Sequence, residues 1–489
     1  MKKAVGCFFI LSIISLTASA QKQGNIWYFG DGAGLDFNSG TPVAITDGQI
    51  NLGSATHNEG TAVISDSLGA LLFYSNGEKV WNGNHQIMPN GDSLMGHASS
   101  TQAALIVPQP TNTTSYYVFT TDAFYQSNLK NGLRYSIVDM CLDNESGDII
   151  VGSKNTLLLD TVAEKLTACK HSNGIDYWIV THKYWSNEFY AFLLTANGIE
   201  DTVISNIGSI HMDINNPTST AAAIGQMKIS PDGTKIALVF SNTVPTVIEL
   251  FDFDNSTGSI SNNISLPSED GEYGISFSPD NSKLYISTVW FGTIYQYDLL
   301  ASGGNPDSII ASKTLIAQLG TGLCCVVEGL QLGPDGKIYV AREGKDFLAV
   351  INNPNTGGTA CNFIDAAVDL NGMVCYLSLP GFVDSYNYPN TNIDCSTGLN
   401  EIQKENTITI YPNPFIERTT FAYTLDDPGQ VELIIHTYTG QYVTTLVSEQ
   451  QRKGSYEIDW NTSDIAPGIY FYTLKVDGVE WVKKAVKIK

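Results

Sequence analysis

The residues best placed by type and spacing to do chemistry are two glutamates, a glutamine and a tyrosine that share one offset. Glu59, Gln102, Tyr273 and Glu328, together with Gly225, each stand seven residues before a recurring turn. A shared offset in a repeat puts side chains at equivalent places in successive units, so these polar groups should gather around one common point. His57, Asn58 and His97 flank the same places and would add to it. Such a rim can bind a polar ligand or a cation. With two carboxylates at the right separation it can also hydrolyse a glycoside, but spacing in sequence does not supply that separation. The histidines, His57, His97, His171, His182 and His211, show neither a His-x-His nor a His-Glu-x-x-His arrangement, and there is no nucleophile elbow or phosphate loop. No catalytic residue is assigned. The competing structural reading is a wet channel whose side chains hold only water. Exposed aromatics could stack on sugars or peptides, and Trp185 and Trp290-Phe291, beside turns, are the candidates among many rings that should be strand core.

The elements that must position these groups are hairpins. Ser230-Pro231-Asp232-Gly233, Ser278-Pro279-Asp280-Asn281 and Gly333-Pro334-Asp335-Gly336 each separate two short apolar runs. Pro fixes φ at the first corner, and Gly or Asn tolerates the positive φ that a tight turn needs. Weaker copies turn at Asp66, Gln109 and Asn173. A third strand and often a fourth follow each hairpin, as in 247–253 and 292–299. Four strands per unit of about fifty residues is a propeller blade, whose two apolar faces are buried only by stacking on neighbours in a closed ring. The fold class expected is therefore all-β, a β-propeller over residues 23–388. Seven blades are favoured, the seventh made by pairing 23–42 with 373–388, and six are the alternative. No four-turn helix is expected; one turn could form at 161–166.

Residues 407–489 read as a separate small β-sandwich. Ile408, Ile410, Phe421, Tyr423 and Leu425 alternate with polar residues, as do Val431, Leu433 and Ile435, and Gly/Pro/Asp clusters set seven short strands apart. Polar residues 389–406 form a linker. Met1–Ala20 has the charged head, apolar run and Ala18-Ser19-Ala20 exit of a signal peptide, so the mature chain should begin near Gln21; no later stretch is apolar enough to span a bilayer.

The formal charge is −23. Lys2 and Lys3 offset it slightly, and residues 407–489 carry eight Lys/Arg against ten Asp/Glu, so the acidity lies in the middle of the chain. So negative a body repels phosphate backbones, which argues against nucleic acid as a partner. Cys141, Cys169, Cys324, Cys325, Cys361, Cys375 and Cys395 follow the leader. An exported chain meets an oxidising compartment, so one to three disulfides are expected, with the pairing open and one thiol left over. No spacing suggests zinc; the metal is unknown, and no cofactor is implied beyond calcium at the acidic positions.

Two resemblances add to this. Tyr411-Pro412-Asn413-Pro414-Phe415, Thr420, Tyr423, Gly440, Gly454, Trp460, Pro467-Gly468-Ile469-Tyr470 and the basic Lys483-Lys484 resemble, in order, the type A C-terminal sorting domain of the type IX secretion system of Bacteroidota. That resemblance implies a translocon and a surface sortase as partners, cleavage between about residues 394 and 409, and a secreted or outer-membrane surface location reached through the periplasm. The Ser-Pro-Asp-Gly hairpins resemble WD40-like and lactonase-like propellers; in the latter a metal is held by Glu, Asn and Asp, for which Glu59, Glu328 and Asn58 are the positions here. Trp27-Tyr28-Phe29-Gly30, Glu59–Asp66, Val80-Trp81-Asn82 and Leu379-Pro380-Gly381-Phe382 are similar to a propeller region of large secreted Bacteroidota proteins. The function expected is a non-catalytic binding protein for a glycan or protein ligand. A lactonase-like or glycan-active hydrolase and a structural surface component are the alternatives.

Overall fold

The structure is a computed structural model that describes residues 21–50, 59–124, 127–212, 221–241, 247–269, 271–289, 291–320, 326–384, 388, 393, 395, 408–425, 427–437, 441–476 and 479–488. Two compact units divide the chain at Cys395/Ser396.

In the first unit, antiparallel sheets follow one another along the chain. The first is Ile26–Phe29, Ala33–Asp36 and Val43–Ile45; the second is Thr61–Ser65, Leu71–Ser75 and Val80–Asn82. The third begins with Ala104–Pro108, the fourth with Val162–Lys170, the fifth with Met227–Ile229, the sixth with Glu272–Phe277 and the seventh with Leu330–Leu332. The hairpins fold as their turn chemistry dictates: Ser230 Oγ donates to Asp232 Oδ1 at 2.6 Å, and Gly233 takes φ +70°. The same Ser–Asp bond recurs at Ser278 and Asp280, 2.7 Å long, with Asn281 at φ +62°.

The opening strands of neighbouring sheets meet around one axis. Thr61 Oγ1 donates to the Tyr28 carbonyl at 2.9 Å, and Gln226 N to the Tyr273 carbonyl at 2.9 Å. The apolar clusters lie between consecutive sheets: Ile106, Phe119, Leu166 and Ile179 between the third and fourth, Leu250, Ile275 and Ile286 between the fifth and sixth. The ring closes where Trp27 of the first sheet meets Tyr339 of the seventh edge-on, with centroids 5.3 Å apart, in a cluster shared with Leu348 and Val350. Each such aromatic pair adds roughly 0.5–1.5 kcal/mol beyond the area it buries. The first unit is thus a β-propeller.

Its closure differs from the expected pairing of 23–42 with 373–388. The N-terminal stretch makes its own three-stranded sheet, and Pro380–Gly381 instead pair in parallel with Thr61–Ala62 of the second sheet. The reason is that the chain after Val374 runs across the axis. Asp31 N donates to Val374 O at 2.8 Å, Cys375 N to Lys345 O at 2.8 Å, and Gly329 N to Leu377 O at 2.9 Å. Asp384 N then reaches Ala168 O of the fourth sheet at 3.0 Å. The approach is close enough that a Cβ on Gly329 would sit 2.6 Å from Ser378 Oγ, so glycine is required there. A Cys141–Cys395 disulfide ties the end of this segment to the third sheet's outer connection. Val162–Lys170 is strand throughout, so the helical turn considered at 161–166 does not form. The longest helix among the described residues is Pro306–Ala311, with Pro306 in its first turn and Asn305 Oδ1 accepting from Ser308 N at 3.1 Å.

The second unit is a β-sandwich of seven strands. One sheet pairs Thr409–Tyr411, Arg418–Leu425 and Gly454–Asn461; the other orders Tyr442–Gln451, Gly429–Thr437, Gly468–Val476 and Val479–Lys487. Phe421, Tyr423, Leu433, Ile435, Tyr472 and Leu474 fill its core. No helix among the described residues is long and apolar enough to cross a membrane.

Candidate functional site

The seven-before-the-turn positions do converge, but in the interior. Glu59, Gln102, Tyr273 and Glu328 are all buried. Tyr273 donates its hydroxyl to Glu59 Oε2 at 2.7 Å, and Ser99 Oγ donates to Oε1 at 2.8 Å. Burial pushes the Glu59 carboxyl up to about 8, helped by nearby Glu164 and opposed by those two bonds. Burial likewise raises Glu164, although Phe124 N, Thr101 N and Thr101 Oγ1 all donate to it. Glu328 is held well above the carboxylate range by burial first, then by Glu343 and Glu59; its Oε2 has no hydrogen-bond partner among the described residues. His97 is half-buried, and its Nδ1 accepts from Ser99 N at 3.0 Å. His57 and Asn58 lie outside the described residues.

Gln102 works as a stitch. Its Nε2 donates to the Leu166 and Met227 carbonyls at 2.9 and 3.0 Å, and its Oε1 accepts from the amides of the same two residues at 3.3 and 2.9 Å. One carboxamide thereby satisfies four backbone groups of the fourth and fifth sheets, which an opening strand on the axis could not pair within its own sheet. Gln226, which sequence spacing did not single out because it falls one residue past the aligned Gly225, does the same on the other side. Its Oε1 accepts from Ile275 N and Leu330 N at 3.1 and 3.0 Å, and Nε2 donates to Ser378 Oγ at 3.3 Å.

Three further groups were not legible as axial. Lys165 is fully buried and donates to the carbonyls of Ala223, Ile224 and Gly225 at 2.9–3.0 Å; burial pushes its amine down to about 7. Asp384 of the crossing segment accepts from Thr167 Oγ1 and from Ile229 N, and pairs with Lys228 Nζ at 3.5 Å, while Lys228 also donates to Gln331 Oε1 at 2.6 Å. Lys228, Asp384 and Gln331 floor a shallow open recess at the hairpin end of the axis, walled by Ile229, Phe277 and Leu332. His182 and His211 stack 3.4 Å apart in full burial, which holds both neutral. No group of three or more His, Cys, Asp or Glu among the described residues is placed to hold a metal.

The rings expected in the strand core are there, Trp81, Tyr116, Tyr117, Trp178 and Tyr184 all being buried. Trp185 and Phe291 are 46% and 42% exposed. Both stand on connections between second and third strands, 183–188 and 288–293. In an antiparallel sheet that end is opposite the hairpin turns and is the end at which Glu59, Tyr273 and Glu328 begin their strands. Trp290 lies outside the described residues.

In the second unit the Tyr411–Phe415 motif is a clasp. Asn413 Oδ1 accepts from Val486 N at 2.8 Å and its Nδ2 donates to Lys484 O at 3.2 Å, fastening the last strand. The Tyr411–Pro412 and Asn413–Pro414 bonds are both cis. The Pro412 carbonyl accepts from Thr419 Oγ1, Phe415 is buried against Trp460, and Tyr411 reaches Glu457. Tyr470 caps the Ala466 carbonyl, Gly468 opens its strand, Lys483 Nζ donates to Ile408 O, and Lys484 stays exposed. Gly440 lies outside the described residues.

Residues 409–489 match the family model of the secretion system C-terminal sorting domain. The tail therefore marks the chain for export by the type IX system to the cell surface or extracellular space. No curated protein matches the chain. Among solved structures it is similar to a putative 6-phosphogluconolactonase from Bacteroides fragilis, 14% identical over 81% of this chain and 97% of that one, with a TM-score of 0.38. It is also similar to the Dos1 propeller, 10% identical over 90% and 92% of the two chains at 0.40. A third is PorZ, a surface component of the type-IX secretion system of Porphyromonas gingivalis, 11% identical over 96% and 74% at 0.31.

Proposed function

We propose that the propeller is a non-catalytic binding module, exported by its sorting tail, that engages a glycan with the end of the ring opposite its hairpins. One observation carries the reading: the large exposed rings Trp185 and Phe291 stand at that end, where Glu59 and Gln102 of the axis are already committed to partners within the fold. Rings this exposed offer a sugar a stacking surface, Trp185 standing edge-on to Tyr184. Glu59, Glu328, Gln102, Tyr273 and His97 then form the floor and rim rather than a reaction centre. Glu59 and Glu328 carry raised pKa values from burial, and Gln102 is committed to four backbone groups.

Glycan-array binding by the exported protein tests this. Trp185→Ala and Phe291→Ala should each weaken binding about tenfold, about 1.4 kcal/mol, from a stacking contribution of about 0.5–1.5 kcal/mol and the apolar contact area lost, while Glu59→Gln leaves it within twofold. A folded protein with a blank array, or binding untouched in both aromatic variants, refutes the glycan reading; a protein captured instead through the same two rings would replace glycan by protein.

A further inference from the structure

Trp185 keeps a backbone conformation that a bulky residue seldom takes, with φ at +60°. Such strain persists only where the surroundings over-determine it, and here residues 207–212 do so. Trp185 N donates to His211 O and His211 N to Ser186 O, both at 2.9 Å, while Ile207 N donates to Asn187 O at 3.0 Å. The side chain that pins this connection is His211. Its ring lies in full burial between His182, 3.4 Å away and nearly parallel, and Phe240, 4.2 Å away. Neither His211 Nδ1 nor Nε2 has a hydrogen-bond partner among the described residues. His182 Nδ1 donates to the Lys183 carbonyl at 3.0 Å, which leaves Nε2 a bare lone pair, also unmatched. A phenylalanine would fill the stack without orphaning polar nitrogens, so the fold gives up stability here for rings that can take a proton.

We propose that His211 is the positioning residue of the aromatic platform: it holds Trp185 only while its ring is uncharged, so acid frees residues 207–212 and dismantles the platform. The functional meaning rests on the glycan reading above, to which it adds that ligand is held near neutrality and let go in acid. The groups around the pair give a charge no relief. Lys165 of Val162–Lys170 acts on both rings and adds like charge. Phe240 and Phe189 bring only apolar rings, and Glu188 is engaged by the Tyr190 hydroxyl at 3.1 Å and by Lys183 at 3.9 Å. A connection between strands is the part of a sheet that opens at least cost, and opening this one wets both imidazoles. Burial holds both well below their ordinary 6.5, whereas the opened connection titrates near that value. Between the two values the closed form binds fewer protons, so opening grows as pH falls below 6.5. From pH 7.5 to 5 the gain is about thirtyfold for one ring and roughly the square of that for both. Glu249 of Val247–Asp254 meets the same connection, accepting from Ser209 N and Oγ at 3.0 Å. Burial raises its carboxyl, so acid favours closure there, and a variant that alters the imidazole alone separates the two.

Hydrogen exchange at the Trp185 amide, in the full protein and corrected for its intrinsic rate, tests this. Between pH 7.5 and 5 it should speed up at least tenfold more in the parent than in His211→Phe, which keeps a stacked ring that cannot titrate. Equal acid responses in the two overturn the proposal, as does a Trp185 amide that already exchanges at its intrinsic rate at pH 7.5. His211→Leu makes the same comparison where the phenylalanine does not fold. Exchange needs no ligand, so its outcome stands even if the glycan array is blank. On an array that binds, sugar held at pH 7.5 should be released at pH 5 by the parent and kept by the variant; sugar kept by both overturns the release.

Discussion

Replacing Glu59 by glutamine should make stability less sensitive to pH, and the size of the effect can be worked out. Glu59 is a buried carboxyl that titrates near 8 in the fold, against an ordinary value of 4.5. Between those values the folded chain keeps a proton that the unfolded chain has released. Fewer protons bound in the unfolded state means stability falls as pH rises, by about 1.4 kcal/mol per pH unit. Over the interval this comes to about 5 kcal/mol at most, comparable with the whole stability of many domains. Lys165 acts in the opposite sense. Its amine is pushed down to about 7 from 10.5, so above pH 7 the unfolded chain holds the extra proton and stability rises at a similar slope. From pH 7 to 8 the two nearly cancel in the parent protein, so its stability curve alone decides nothing. The difference between Glu59→Gln and parent does decide. Measured by urea unfolding, it should favour the variant progressively from pH 5 to 8 and level off beyond. A difference that stays flat across that range would show that Glu59 ionises as in water, and the closed axis would be wrong.

Three other perturbations probe the same architecture. Gln102→Ala leaves two amides and two carbonyls unpaired in the interior; at about 1–3 kcal/mol for each buried group left unmatched, a loss of at least 3 kcal/mol in denaturant unfolding is expected. Cys141→Ser/Cys395→Ser opens a covalent loop spanning 254 residues, worth up to about 5 kcal/mol by chain entropy; the variant's melting should fall to that of the reduced parent and be indifferent to reductant. Asn413→Ala removes both clasps on the last strand of the tail; roughly 1–3 kcal/mol should be lost from the tail's own unfolding, with less protein reaching the surface fraction by immunoblot.

The hairpins were legible because Pro-Asp-Gly and Pro-Asp-Asn turns encode φ directly, and the offset from them placed Glu59, Gln102, Tyr273 and Glu328 on one axis. What the offset could not convey was depth. The same residue types fit a wet rim or a dry plug, and the difference is made by a segment far away in sequence. Residues 374–384 carry no repeat signature: Ser378 and Asp384 look like loop residues until their partners Gln226, Thr167 and Lys228 are known. Lys165 was equally hidden, since a lysine next to Glu164 in a mixed strand reads as a surface charge and gives no sign of the three carbonyls it will meet. In the tail the alternation of Phe421, Tyr423 and Leu425 gave the strands outright. The role of Asn413 could not be read from the chain, because it depends on a strand some seventy residues later.

Why the axis should be filled follows from the ring's own backbone. Two of the opening strands run short toward the centre: Met227–Ile229 and Leu330–Leu332 have three residues each. Their inward amides and carbonyls have no further strand to pair with. Water could satisfy them in a wide channel, but Gln102 and Gln226 already reach across to neighbouring sheets, which leaves only a narrow core. A narrow, half-paired core is costly for each group left over. The crossing segment resolves this by bringing backbone and short polar side chains of its own: Leu377 O for Gly329 N, Ser378 Oγ for Gln226 Nε2, Asp384 Oδ2 for Ile229 N. It also makes closure of the ring depend on residues that follow the last repeat. A chain ending at residue 373 would lose only the short Pro380–Gly381 strand from its sheets, together with these partners, and should expose apolar surface to a hydrophobic dye while retaining most of its β-sheet circular dichroism. A truncated chain as compact and as protease-resistant as the parent would mean the crossing segment merely lies on a ring that is complete without it.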